Sequence, residues 1–318
     1  WILQLPGGHQ WLAERVPDDM VIVLPNYLIS RAVDLHDTDH FLASPDLISH
    51  ALQRGWYDPA HEQAFDFKHA YGPPEINASP ANTGRQQTGL FLFTGREFPL
   101  DDMPFAYAPQ HPVGLTDVMA CLRSETAHGC SCEQARTMSG SFHGNVRGTT
   151  PLRPISVWTT QESTVVQLRK SPVEGRNAVA WRASGIPDEL PYTPWYPLAM
   201  IRSSIDYPDP YGCVNPDHLD LSSAYWILRS FVTAVDADYA RRRAELREAL
   251  SPIETGAIRT DQLLAAMPAI GNSPDTSAIM DLLATYGTGL GMEVLTLCQK
   301  LLLRWQNNPV STECCKSL

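Results

Sequence analysis

The amino-acid sequence predicts an α+β protein built in layers. Apolar runs of strand length gather in the first and middle parts of the chain, helical periodicity dominates the last third, and no regular strand–helix alternation or glycine-rich phosphate loop suggests a doubly wound sheet.

Taken in order, the first strands are expected on either side of Asp18-Asp19. Residues 11–16 are short and mixed, the acidic pair makes a turn, and 20–24 form a continuous apolar run of the kind buried on both faces. Ser44-Pro45-Asp46 then offers an N-cap, a proline at the first helical position and an acid in the first turn. Leu47, Ile48, Ala51 and Leu52 follow at helical spacing, with Gly55 as the stop. Residues 71–112 are dense in Gly, Pro and Asn and read as long loops around one strand, Leu90-Phe91-Leu92-Phe93. A helix is expected to open near Thr116, and the polar, Gly-rich stretch 130–152 reads as a flexible insert.

Residues 155–158, 163–168 and 178–181 are β-rich and separated by turn material, which predicts an antiparallel meander. Beyond the proline-rich stretch 187–197 the pattern becomes helical. Tyr225, Trp226, Leu228, Val232 and Val235 share the apolar side of a helix over 222–250, with Arg241-Arg242-Arg243 on its solvated half. A second pattern covers 275–305, where Gly287, Gly289 and Gly291 mark a kink or break. The expected organisation is one domain, with a core over 1–201, a helical region over 202–306 and a tail at 307–318.

With 318 residues, 43% of them hydrophobic, the chain can bury a substantial core. A net charge of -11 argues against a nucleic-acid binder, which needs clustered cations to displace counterions. The longest apolar runs fall far short of the roughly 20 residues of a membrane span. Seven irregularly placed cysteines argue against a disulfide scaffold and favour a reducing, cytoplasmic setting. Cys130-Ser131-Cys132 and Cys314-Cys315 lack the spacing of a zinc knuckle, and no cofactor is expected. A metal-hydrolase alternative rests on Asp34, His36, Asp37, Asp39 and His40, a ligand-dense stretch unsupported by any His-Glu-x-x-His string.

Several strings carry a resemblance. Gly7-Gly8-His9-Gln10-Trp11, Arg15-Val16-Pro17-Asp18-Asp19, Ala43-Ser44-Pro45-Asp46-Leu47 and Ala70-Tyr71-Gly72 occur in this order, followed by Thr160-Gln161-Glu162-Ser163 and Ser223-Ala224-Tyr225-Trp226. In this the chain resembles the dipeptidase A family of N-terminal-nucleophile cysteine peptidases, relatives of the secernins, penicillin V acylases and bile salt hydrolases. The resemblance implies a four-layer αββα sandwich of antiparallel sheets, here incomplete at the N-terminus, with a helical C-terminal part. It implies short peptides, chiefly dipeptides, as partners, and leaves a homo-oligomer open. The nucleophile it implies is an amino-terminal cysteine whose α-amine, with a pKa of about 8, accepts the thiol proton. Trp1 has no nucleophilic atom, and Cys121, Cys130 and Cys132 carry no free α-amine. The chain is therefore expected to lack the family's opening cysteine and to be inactive as it stands. A noncatalytic binding or structural protein of the same fold is the other reading, because secernin-like kinship does not guarantee peptidase activity.

The same resemblance carries over four positions. Asn26, at the end of the 20–24 run, is expected to donate to the oxyanion; its plain alternative is a turn asparagine. Arg85 is expected to hold the thiolate and orient the substrate carboxylate. The family's aromatic-rich sequence is replaced there by Gln86-Gln87-Thr88, and an ordinary solvated arginine is the alternative. His9 and Thr160 are substrate-binding candidates because they sit inside matching strings, against structural roles for each.

Overall fold

The structure, a computed structural model, describes residues 1–61, 64–125, 153–157, 159–171, 174–205, 211, 217–266 and 276–307. Its architecture is α+β with antiparallel sheets, as expected. The chain divides into two compact units, Trp1–Ser141 with Val146–Ile155, and Phe142–Asn145 with Ser156–Leu318. The sequence-based boundary after residue 201 leaves the middle strands with the N-terminal part, whereas the compact units group them with the C-terminal helices.

The first unit opens with a hairpin. Strands β1 (Ile2–Gly7) and β2 (Gln10–Glu14) pair antiparallel, with Leu3 opposite Ala13 and Gln4 opposite Leu12. Gly7 at φ 116° and Gly8 at φ 69° make the turn, in backbone conformations that strain residues bearing a side chain. This hairpin lies before the one the sequence suggested. Asp18-Asp19 does turn the chain, with Met20 N–H donating to Pro17 O at 3.4 Å, but 20–24 form no strand. Val21 makes a single bridge to Tyr107, and Val23 occupies the space that a Cβ on Gly89 would take. The run is apolar because it packs on a helix.

Strand β3 (Ala32–Val33) and strand β4 (Phe41–Ala43) follow; β4 pairs with β2, which leaves β1 at the edge of a sheet ordered β1-β2-β4. Helix α1 (Leu47–Arg54) ends on Gly55 as expected, but its N-cap is Asp46 and not Ser44. Ser44 is engaged with β2 instead, its N–H donating to Trp11 O and its hydroxyl accepting from Trp11 N–H. Strand β5 (Phe65–Asp66) pairs with β3 and leads into α2 (Phe67–Tyr71). Leu12, Val33, Leu47, Ala51, Phe65 and Phe67 form the core they share, each large side chain contributing about 1.5–3 kcal/mol.

The main correction falls on 80–94. After the short α3 (Pro74–Asn77), these residues form α4 (Pro80–Thr94), with Leu90-Phe91-Leu92-Phe93 in its last turns and not in a strand. Pro80 at the first helical position and Gly95 at the C-cap are the local signals. The apolar stripe that marks a helix is missing because Gln86, Gln87 and Thr88 are buried along with Leu90. Helix α5 (Leu115–Leu122) stands where one was expected, and 130–152 lie outside the described residues.

In the second unit, β6 (Ser163–Leu168), β7 (Ala178–Ala183) and β8 (Thr193–Trp195) form the expected antiparallel meander, with Val165 opposite Trp181. Its membership differs. Residues 155–157 are irregular, and the proline-rich stretch supplies β8, an edge strand that tolerates Pro194.

Helices α6 (Pro197–Arg202), α7 (Ala224–Asp236), α8 (Tyr239–Ala266) and α9 (Thr276–Asn307) complete this unit. The single helix expected over 222–250 is two, α8 restarting where Asp238 O accepts Arg242 N–H and its carboxylate pairs with Arg241 at 2.6 Å. Helix α9 runs unbroken through its three glycines. A Cβ on Gly287 would stand 2.8 Å from Pro194 O, so the bare backbone there admits β8. Trp181, Tyr192, Tyr196, Phe231 and Leu283 are fully buried in this unit. Arg242 departs from the solvated face predicted for it: it is buried, donates to Ala234 O, and places its guanidinium 5.0 Å from the Trp305 ring centroid. No described helix is long and apolar enough to cross a membrane.

Candidate active site

In the first unit the run 20–27 crosses α4, with Val23 against Gly89, one helical turn beyond Arg85. Pro25 and Arg85 line one cavity of about 340 Å³, together with Val21, Phe93, Val118 and Cys121. The Arg85 guanidinium is steered along its own helix: Nε donates to Ala81 O at 2.8 Å and one Nη to Asn82 Oδ1 at 2.7 Å. Burial lowers its pKa, the Arg153 charge adds to this, and Tyr27 opposes it. An arginine so perturbed is still a cation at neutral pH.

Asn26 lies on another cavity. It is exposed, makes no side-chain hydrogen bond to the described residues, and lines a space of about 330 Å³ with Leu5, Pro6, Tyr71 and Asn77. Leu24 and Pro25 border both spaces. The structure thus places Asn26 and Arg85 around the same short run without a hydrogen bond between them.

The residues that fix this run were not singled out from the sequence. Gln4 on β1 uses Oε1 to accept Ile29 N–H at 2.8 Å and Ser30 N–H at 3.3 Å, and its Nε2 donates to the Ser30 hydroxyl. The Tyr27 hydroxyl donates to Gln86 Oε1, and Lys68 Nζ stands 4.2 Å from the Tyr27 ring centroid. Burial raises the Tyr27 pKa to about 12 and lowers that of Lys68, where nearby Arg31 adds and Asp66 opposes. The available signal was the Gln86-Gln87-Thr88 triplet, read only as a departure from the family. Each member has a partner: Gln87 Oε1 accepts Phe98 N–H at 3.2 Å, and the Thr88 hydroxyl donates to Gly84 O at 2.8 Å.

His9 sits exposed at the tip of the β1–β2 hairpin and has no hydrogen-bond partner among the described residues. Thr160 belongs to the second unit, where it is half-buried and donates its N–H to Val157 O at 2.8 Å. It lines a cavity of about 380 Å³ with Glu162, Arg182, Ser223, Tyr225 and Arg229. The 160–163 and 223–226 strings therefore meet at one cavity.

The family model described as Peptidase family C69 matches residues 1–251, from β1 into α8. The chain belongs to peptidase family C69. Curated relatives include a probable dipeptidase of Salmonella dublin, 32% identical over 62% of this chain and 44% of that protein. A probable dipeptidase of Latilactobacillus sakei is 25% identical over 75% of this chain and 48% of its own length. Dipeptidase A of Lactobacillus helveticus is 22% identical over 78% and 50%, respectively. The chain spans about half the length of these curated relatives. The resemblance drawn from ordered strings is borne out.

Within this C69 chain the described thiols are poor nucleophiles. Burial raises the Cys121 pKa to about 11 and pushes that of Cys298 higher still, so both are neutral thiols at physiological pH. Cys130 and Cys132 lie outside the described residues. The loop behind the metal alternative is internally paired: Asp34 Oδ1 accepts His36 N–H at 2.9 Å, and Asp37 Oδ2 pairs with His40 Nδ1 at 2.8 Å. Among the described residues, no three His, Cys, Asp or Glu side chains come together as a metal site.

Proposed function

We propose that the intact C69 protein is a dipeptidase acting by cysteine acyl transfer, on an N-terminal-nucleophile αββα fold to which these 318 residues contribute a part. The observation that carries this reading is the family match over residues 1–251, joined to the dipeptidase names of its relatives. In this reading the thiolate of an amino-terminal cysteine outside these residues attacks the scissile carbonyl carbon and the cysteine α-amine takes up the thiol proton. The C–N bond then breaks, the leaving amine carries that proton away, and water hydrolyses the thioester.

Asn26 supplies the oxyanion donor. An uncharged amide, unpartnered by the described residues and carried on a run tied down through Gln4 and Gln86, meets the need for a donor positioned before charge develops. Arg85 holds the thiolate, and His9 and Thr160 contribute to substrate binding. The reading rests more on Asn26 than on Arg85, whose guanidinium already serves α4.

Joined to an N-terminal segment that supplies the family's opening cysteine, the protein is expected to hydrolyse L-alanyl-L-alanine, while the 318-residue chain alone does not. In the joined protein Asn26→Ala should lower kcat by about 10²–10³-fold with KM nearly unchanged. Hydrolysis by the isolated chain would overturn the nucleophile assignment. Dipeptide binding without cleavage by the joined protein would favour a noncatalytic member of the family.

A further inference from the structure

We propose that the cavity at the start of α7 is a carboxylate-binding site, with the N-terminal backbone of α7, the Ser223 hydroxyl and the Arg229 guanidinium as its donors. Helix α7 has 13 residues, and the first N–H groups of a helix have no intrahelical acceptor and gather partial positive charge. Ser223 occupies the N-cap position yet makes no capping bond. Its side chain is buried, at 7% exposure, and its Oγ has no hydrogen-bond partner among the described residues. A buried hydroxyl left unpaired is unfavourable, and a ligand oxygen at the cavity wall would satisfy it.

The charges in the wall set the sign of the ligand. Arg182 and Glu162 satisfy one another through two bonds, at 2.9 and 2.6 Å. Arg229, half-buried in the same wall, has no ion pair among the described residues. Among the described residues lining the cavity, two arginines stand against one glutamate, beside a helix start that the Ser223 side chain does not cap. Leu228 and Val232 add an apolar side. An anion carrying a small apolar group fits this lining, and the space of about 380 Å³ is of small-ligand size. The identity of that carboxylate as the C-terminus of a substrate dipeptide rests on the dipeptidase reading; the anion site itself does not.

The test is calorimetric titration of the 318-residue chain with acetate, L-alanyl-L-alanine and the C-terminal amide of the same dipeptide. Both carboxylates are expected to bind, with the amide about tenfold weaker than the free dipeptide. Arg229→Gln should weaken both carboxylates by about tenfold, with the urea midpoint checked to show that the fold is kept. The acid-against-amide comparison needs no variant. Acetate binding that depends on Arg229, without binding of the dipeptide, would uphold the site and count against the dipeptidase reading. Dipeptide binding indifferent to amidation and to Arg229→Gln would overturn the inference and leave that reading intact. No binding by either carboxylate would also overturn it.

Discussion

Cys121 shares a cavity wall with Arg85, yet burial, not the neighbouring cation, sets its chemistry and holds its pKa at about 11. At pH 8 only about one thiol in a thousand is then ionised. Iodoacetamide is expected to leave Cys121 unlabelled in the folded chain and to label it in urea, as read by peptide mass spectrometry; rapid labelling of the folded chain would contradict a neutral buried thiol. The raised pKa also links to stability. Its contribution is complete below the unfolded thiol's pKa of about 8.5 and is lost as pH rises toward about 11, so the urea midpoint should fall across that window. Asp261 stabilises the second unit by direct contacts. It accepts both Nη groups of Arg169 at 2.7 and 2.6 Å and the Tyr196 hydroxyl at 2.9 Å, with its side chain 4% exposed. Asp261→Asn leaves the arginine without its counter-charge and should cost about 3 kcal/mol in urea unfolding.

Among elements, α9 separates two kinds of glycine. Gly289 has open space where a Cβ would go, so Gly289→Ala should stabilise by about 0.5–1 kcal/mol through helix propensity. Gly287→Ala gains the same propensity but drives its methyl to 2.8 Å from Pro194 O, and should destabilise on balance. Thermal unfolding of the two variants checks the opposite signs. Elements with ordinary punctuation were legible in the sequence: α1 ends at Gly55, β6 carries the β-branched run Thr164-Val165-Val166, and β7 sets Val179 and Trp181 on one face between turns. Helix α4 was not, because its buried side includes Gln86, Gln87 and Thr88, whose partners lie on other segments or in the preceding turn. Strand β1 was missed because its outward positions, Leu3 and Leu5, are apolar and exposed, the reverse of the usual pattern. The positions of Asn26 and Arg85 were legible only through the family strings. The gathering of Thr160, Ser223 and Arg229 at one cavity depends on a helix start meeting residues some 60 positions away, which no local pattern encodes.

At the scale of the whole molecule, a net charge of -11 opposes self-association while β1 invites it. Trp1, Leu3 and Leu5 are 55%, 57% and 68% exposed on an edge that no described strand covers. Raising salt from about 0.01 to about 1 M shortens the Debye length from about 30 to about 3 Å, so sedimentation velocity should show more association at high salt. Leu5→Lys should suppress it, and equal association in the variant would place the contact elsewhere. Arg169 and its acceptor Asp261 are 92 residues apart. A ribosome adding about 5–20 residues per second needs roughly 5–18 s to pass from one to the other. The nascent meander emerges with its arginine unpaired by a carboxylate for that interval, and a transcript truncated before the Asp261 codon would yield a sheet that never acquires its counter-ion.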